Sequence, residues 1–223
     1  MKTALVVVDL QNDFCAGPVV AARYRGEPGT LERVTTNAAR AVDLARRAGT
    51  EVAFVRFLGD VEHQRPSWRR RDRVLGKQPK CLAGSWGAEF HKVAPAPGER
   101  VFTKHACFDA FLSHGFGQYL RRRRIGHLVL AGVYADVCVD STARTAFQKG
   151  FHLTVLTDCT TALHRSDEET LRFMELVYGA RTTTHDRPAS WTRFAEEDEW
   201  SPPEAHKTSR ASRASKAASA GPR

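Results

Sequence analysis

The sequence lacks both a regular cysteine pattern and a long apolar run. Five cysteines occur among 223 residues, at irregular spacing and without a C-x-x-C pair. This argues against a disulfide framework or a zinc finger and predicts free thiols in a reducing compartment. The apolar stretch from Ala4 ends at Asp9 with no cleavage-like site, which argues against a signal peptide, and no run approaches the roughly 18 apolar residues of a membrane span. We expect a cytoplasmic protein that has no membrane association.

Acidic residues are missing from the C-terminal segment. Residues 205–223 contain five Lys or Arg residues and no acid, so much of the net charge of +9 lies there. This segment also lacks large apolar residues, and we predict a disordered basic tail from about residue 205 within a C-terminal extension, residues 191–223. The rest of the chain is only mildly basic. Nucleic acid is therefore an unlikely partner, although binding through the tail and the arginine-rich residues 65–73 stays open as an alternative.

Strand and helix patterns alternate along residues 1–190, which we predict to form one domain. An apolar run at residues 3–8, helical spacing over 31–48 and a second run at 51–57 indicate a strand, helix, strand unit with parallel pairing. The pattern then breaks over residues 58–100, which we expect to be a long functional loop. Later strands are predicted at 100–103, 127–133, 152–157 and 180–184, and helices at 115–124, 137–149 and 167–178. The predicted fold is α/β, with three α/β/α layers around a six-stranded, mostly parallel, doubly wound sheet.

Three reactive residues follow predicted strands. Asp9 comes after the first strand, Lys104 after the strand at 100–103, and Cys138 lies where the helix after the 127–133 strand begins. Ligands of such sheets bind at the carboxyl ends of the strands. A helix N-terminus favours a thiolate, a carboxylate can accept the thiol proton, and a lysine can hold that carboxylate ionised. The three residues are therefore candidates for nucleophilic catalysis.

Two motifs around these residues resemble those of a known family. The sequence DLQNDF at residues 9–14, a lysine after a central strand and GVYADVCV at residues 132–139 resemble the signatures of the isochorismatase-like cysteine hydrolase superfamily, which includes N-carbamoylsarcosine amidase, nicotinamidases and streptothricin hydrolase. The resemblance implies Asp9 as base and acid, Lys104 as its electrostatic partner and Cys138 as nucleophile. It also implies a cis peptide before Tyr134 and an oxyanion hole made by the backbone N–H groups of Tyr134 and Cys138.

The expected reaction is cleavage of a C–N bond in a small amide, ureido or lactam substrate through a thioester on Cys138, without a cofactor. Nicotinamidases carry a metal-binding Asp-x-His after the second strand; Asp60 and His63 are the nearest substitutes here, and their spacing is wrong, so we predict no metal. The alternative is an isochorismatase-type vinyl-ether hydrolase that uses Asp9 as acid and tolerates loss of the Cys138 thiol. The resemblance also favours a homo-oligomer.

Aromatic residues near the motifs are candidates for the substrate pocket. We predict substrate-binding roles for Phe14, Trp86, Phe108 and Tyr134. A polycationic substrate, as in the streptothricin branch, would require acids at the mouth of this pocket. The possible suppliers are Asp60, Glu62, Glu89, Asp109 and Asp136.

Overall fold

The structure is a computed structural model that describes residues 1–21 and 23–194. Within these residues six strands form one sheet in the order β3-β2-β1-β4-β5-β6, and each neighbouring pair is parallel. The predicted α/β class and doubly wound sheet are confirmed. The strands are β1 (Lys2–Val8), β2 (Glu51–Leu58), β3 (Arg100–His105), β4 (Ile125–Val133), β5 (His152–Thr161) and β6 (Arg181–Thr183).

Helices cover both faces of the sheet because its central strands are apolar on both sides. Leu5 and Val7 of β1 are buried in one core, together with the apolar face of the long helix after β1, whereas Val6 and Val8 are buried in the other. Neighbouring side chains of a strand point to opposite faces, so this pattern follows directly from a continuous apolar run. The helices are α1 (Asn12–Cys15), α2 (Gly17–Ala21), α3 (Thr30–Arg47), α4 (Pro66–Val74), α5 (Phe116–Arg122), α6 (Asp140–Gln148) and α7 (Asp167–Tyr178).

Residues 58–100 differ from the loop that the sequence predicts, because they contain the nine-residue helix α4. Pro66 occupies the first turn of α4, where its missing N–H costs no hydrogen bond. None of the residues of α4 is fully buried, so the helix has no apolar period by which a sequence pattern could show it. The short helices α1 and α2 were also not predicted.

The C-terminal end of the described chain packs onto the domain. Trp191 is fully buried in the core beside α3, so this core extends at least one residue beyond the predicted boundary at residue 190. The predicted basic tail from about residue 205 lies outside the described residues. None of the helices within residues 1–21 and 23–194 combines the length and the apolar composition needed to cross a membrane.

The strand order fixes where a site can form. In a sheet of order 3-2-1-4-5-6 the crevice lies at the carboxyl ends of β1 and β4, where the chain connections diverge to opposite faces. Asp9 directly follows β1, and the turn that carries Cys138 directly follows β4.

A buried histidine connects three strands of the sheet. His127 of β4 is 1% exposed, and its ring nitrogens lie 3.0 Å from Thr3 Oγ1 of β1 and 2.8 Å from Thr154 Oγ1 of β5. Burial, helped by the positive charges of Arg181 and His152, lowers the pKa of His127 to about 3. The ring is therefore neutral in the folded protein at neutral pH.

We predict that His127 makes the fold acid-sensitive. Between pH 6.5 and about pH 3 the unfolded chain binds a proton here that the folded chain does not, so stability present above pH 6.5 is lost as the pH falls through this window. From pH 7 to pH 4.5 this loss is about 2–3 kcal/mol. Urea unfolding over this range should show a shallower pH slope for His127→Gln than for the wild type or for the exposed control His114→Gln. Equal slopes for all three proteins would contradict the assignment.

Candidate active site

Asp9 and Lys104 form a fully buried ion pair at the end of the sheet. Lys104 Nζ lies 2.6 Å from Asp9 Oδ2, and both side chains have no exposed surface. Nζ also donates to the Phe108 carbonyl at 2.7 Å, while the Asp9 N–H donates to the Val55 carbonyl at 2.9 Å. Asp9 has a left-handed backbone conformation with φ of 53°, which is uncommon outside glycine. The pair is thus positioned by the backbone of β2 and of the segment that follows β3.

Cys138 belongs to a π-helical turn, Ala135–Val139, that leads into α6. Burial is the main influence on the pKa of its thiol, and the charges of Lys104 and Asp9 act on that pKa next, so the thiol lies beside the ion pair. Its carbonyl accepts a hydrogen bond from Thr142 Oγ1 at 2.8 Å, which ties the turn to α6. The structure therefore brings together the three residues that the sequence singled out at separate strand ends.

Burial dominates the protonation of this cluster. It raises the pKa of Asp9, although Lys104 opposes the shift, and it raises the pKa of the Cys138 thiol, again with Lys104 opposing. For Lys104 burial alone would lower the pKa, but the facing Asp9 carboxylate more than offsets this and the pKa is raised. The position of Cys138 near a helix start was expected to favour a thiolate; in the buried site the thiol stays protonated until a base removes its proton. Asp9 Oδ1 is buried and has no hydrogen-bond partner among the described residues, so it can accept that proton.

The backbone before Cys138 has the geometry that the family resemblance implied. The peptide bond between Val133 and Tyr134 is cis. Gly132, directly before it, has φ of 126°, and a Cβ built there would lie 2.0 Å from the Val8 carbonyl oxygen. Only glycine lets β4 approach the end of β1 this closely. The Tyr134 carbonyl accepts hydrogen bonds from the N–H groups of Val137 and Val139, which closes the turn around Cys138.

The polar residues of the DLQNDF motif hold the long segment before β3. Gln11 Nε2 donates to the carbonyls of Phe57 and Ala88, both at 2.9 Å, and its Oε1 accepts from the Phe57 N–H at 2.7 Å. The next two motif residues continue this role: Asn12 donates to the Trp86 carbonyl at 2.8 Å and Asp13 accepts from the Cys81 N–H at 2.7 Å. These positioning roles were not predicted from the sequence.

An apolar pocket of about 120 Å³ opens above Cys138. Phe14, Phe108 and Tyr134 line it, as the sequence predicts for substrate-binding residues. Trp86 does not line it; its side chain is 54% exposed, and its ring lies against Gly17.

The aromatic wall of the pocket includes a residue that the sequence did not assign to it. Trp68 of α4 lines the pocket, with its ring centroid 5.9 Å from that of Phe57 and 4.9 Å from that of Phe108. The sequence feature that pointed to this residue is the mixture of tryptophan and arginine in residues 65–73. From the sequence alone that mixture is a weak indication of nucleic-acid binding.

The acids considered for a polycationic substrate lie elsewhere. None of Asp60, Glu62, Glu89, Asp109 and Asp136 lines the pocket. Three of them instead bind backbone N–H groups: Asp60 that of Ala83, Asp109 that of Phe111, and Asp136 those of residues 163–165. These three carboxylates therefore stabilise loop backbones and do not line the pocket.

A different set of residues has the spacing of possible metal ligands. Within residues 1–21 and 23–194, the one group of three such side chains whose ligand atoms lie within 4.8 Å of one another is Asp158, Cys159 and His185. His185 Nδ1 lies 2.5 Å from Asp158 Oδ2, so these two side chains are already hydrogen-bonded to each other. Asp60 and His63 belong to no such group in this part of the chain.

Comparison with known proteins identifies the family. A model of the isochorismatase domain matches residues 3–187, which is most of the chain. The chain belongs to the isochorismatase family. This confirms the resemblance seen in the two motifs, and it extends that resemblance from short signatures to the whole folded domain.

Relatives of this isochorismatase-family chain include amidohydrolases and amidases. It is 32% identical over 176 residues to a ureidoacrylate amidohydrolase RutB of Variovorax paradoxus, covering 71% of this chain and 68% of that protein. The solved structure of N-carbamoylsarcosine amidase from Thermoplasma acidophilum matches with a TM-score of 0.69 at 28% identity, covering 83% of this chain and 98% of the other. The nicotinamidase/pyrazinamidase PncA from Bacillus subtilis matches with a TM-score of 0.68 at 25% identity, covering 82% and 100%.

We predict that Gly132→Ala disrupts the site and the fold together. The new Cβ would overlap the Val8 carbonyl, so the cost should reach about 3 kcal/mol, the upper end for overpacked positions. Gly49→Ala is the matched control, since Gly49 also has positive φ but no atom within 4 Å of an added Cβ, and it should cost about 1–2 kcal/mol. Thermal unfolding of both variants measures the difference, and similar losses would contradict the close approach of β1 and β4.

Proposed function

We propose that this protein is a hydrolase that cleaves a C–N bond in a small amide or ureido substrate through a thioester on Cys138. The observation that carries the proposal is the buried Asp9–Lys104 pair, whose charges act on the Cys138 thiol at the wall of an apolar pocket. The sequence predicts the same reaction on an amide, ureido or lactam substrate, and the amidohydrolase and amidase relatives support the amide and ureido classes.

The first half of the reaction forms the thioester. Asp9 accepts the proton of the Cys138 thiol as sulfur adds to the substrate carbonyl carbon, because the buried thiol is protonated beforehand. The carbonyl oxygen becomes an oxyanion. Asp9 then gives the proton to the substrate nitrogen, and the C–N bond breaks. The amine leaves, and the acyl group stays bound to the sulfur as the thioester.

The second half releases the acid. A water molecule adds to the thioester carbonyl and transfers a proton to Asp9, and collapse of the intermediate breaks the C–S bond. Asp9 returns its proton to the sulfur, which restores the starting state. Together the three side chains supply a nucleophile, a proton carrier and a positive charge, so the proposed chemistry needs no metal or cofactor.

Two further roles belong to this proposal. Lys104 keeps Asp9 ionised in a site where burial would otherwise protonate it. The backbone N–H groups of Tyr134 and Cys138 form the oxyanion hole, supported by the cis peptide before Tyr134 and the π-helical turn around Cys138. Loss of one such donor typically costs about 10²–10³ in turnover. Phe14, Phe108 and Tyr134 would contact the substrate.

The vinyl-ether alternative is less well supported. It uses Asp9 as an acid and gives the thiol no role, yet the thiol lines the pocket and is influenced by both charges of the ion pair. The predicted homo-oligomer and cytoplasmic location remain part of the proposal. Apolar side chains exposed on α6 and α7 are compatible with a covered face: Phe147, Leu176 and Val177.

We predict that Cys138→Ala abolishes turnover without unfolding the protein. Removal of a nucleophile of this kind lowers kcat by a factor of about 10⁴ or more. Release of ammonia from a panel including ureidoacrylate, N-carbamoylsarcosine and nicotinamide measures the loss, and Cys107→Ala, which removes a half-buried thiol outside the pocket, is the control that should keep its activity. Hydrolysis retained in Cys138→Ala and lost in Asp9→Asn would favour acid catalysis instead.

We predict that activity has an acid limb governed by Asp9. Burial raises the pKa of Asp9, so the base is lost as the pH falls through a value above the ordinary 3.8. The pH profile of kcat/KM, with recovery of activity on return to neutral pH as the control for unfolding, tests this. A profile that stays flat to below pH 3.8 contradicts Asp9 as the base.

A further inference from the structure

The lining of the pocket has more positive than negative side chains. It includes four Lys or Arg residues, Arg23, Arg71, Lys77 and Lys80, and two acids, Asp13 and Asp72. Both acids already have partners. Asp13 accepts from the Cys81 N–H at 2.7 Å, and Asp72 Oδ1 accepts from Arg71 Nε and Nη2 at 2.9 and 2.6 Å.

Arg71 is held in place by this carboxylate and by an aromatic ring. Its guanidinium carbon lies 3.9 Å from the centroid of the Trp68 ring and 5.7 Å from that of Phe108. A stacked guanidinium with one edge occupied by Asp72 is a rigid part of the wall. Arg71 therefore contributes positive potential and fixes Trp68 without being free to follow a ligand.

Arg23 and Lys77 differ from Arg71, because in the part of the chain that the structure describes neither forms a salt bridge within 4.0 Å. Both side chains are partly buried. The pKa of Lys77 is lowered, first by burial and then by the positive charges of Arg71 and Arg23, with Asp72 opposing. Arg71 and Arg23 thus repel Lys77 in one pocket lining, and an anion bound beside them would relieve this repulsion.

We propose that Arg23 and Lys77 form an anion subsite at the mouth of the pocket, which selects substrates that carry a carboxylate remote from the C–N bond attacked by Cys138. This inference rests on the proposed function. An arginine fork can bind both carboxylate oxygens, and a lysine adds a point charge. The aromatic side chains of the same pocket lining, Phe14, Trp68, Phe108 and Tyr134, would hold a flat connecting group. The substrate class is therefore a small amido or ureido acid.

Matched pairs of charged and uncharged substrates test this subsite. The probes are ureidoacrylate, N-carbamoylsarcosine and N-carbamoylglycine, each compared with its methyl ester. For at least one pair the wild type should prefer the acid by about tenfold or more in kcat/KM. Arg23→Gln and Lys77→Gln should each remove most of this preference through a higher KM for the acid, with the ester unchanged. Arg70→Gln, an exposed arginine of α4 outside the pocket, should behave as wild type.

Binding to Cys138→Ser, measured by calorimetry with the same pairs, separates this inference from the proposed function. Acids that bind more tightly than their esters, with the difference lost in the Arg23 and Lys77 variants, support the subsite even if none is hydrolysed, in which case the proposed reaction fails. Hydrolysis of acid and ester at equal rates supports the reaction and overturns the subsite. The subsite is also overturned if no acid binds better than its ester, or if the two substitutions weaken acid and ester alike.

Discussion

A carboxylate and an ammonium buried side by side constrain the whole site. Neither Asp9 nor Lys104 has any exposed surface, so each depends on the other for the interactions that water would otherwise provide. Breaking a buried pair by removing one partner typically costs about 3–5 kcal/mol, since the remaining charge is uncompensated. The two residues come from β1 and β3, with β2 between them, and the pair therefore locks three strand ends into one geometry against which the Cys138 thiol is placed.

The pocket has opposite electrostatic character at its two ends. At the bottom, Lys104 and Asp9 match positive and negative charge within a hydrogen-bond distance, and burial favours the neutral thiol of Cys138. At the mouth, Arg23 and Lys77 form no salt bridge within residues 1–21 and 23–194. Between these ends the wall is aromatic. A molecule that satisfies all three zones has a reactive carbonyl, a flat middle and a negative end, which is a narrower description than the family alone provides.

The sequence predicted the fold and the cluster around Cys138 because both follow from short-range patterns. Continuous apolar runs indicate buried parallel strands, and the residue just after such a run lies at the carboxyl end of the sheet. The substrate wall left no such pattern. Trp68 enters the pocket from a helix without a buried face. Trp86 points elsewhere because Gln11 and Asn12 bind the backbone carbonyls of Ala88 and Trp86, which lie 77 and 74 residues further along the chain. Such long-range hydrogen bonds to backbone carbonyls require no particular residue type at the accepting end.

The shallow packing of α4 has a consequence for how this protein can change: its Trp68 packs against a small apolar cluster, and none of its residues is fully buried. Apart from Trp68, the helix can be mutated without disturbing the packing that stabilises the sheet. Residues 66–74 therefore form a module in which mutation can redirect substrate preference while the chemistry beneath stays intact. Libraries restricted to this one helix should yield folded variants far more often than libraries that touch β1 or β4, which makes α4 the natural starting point for retargeting the enzyme.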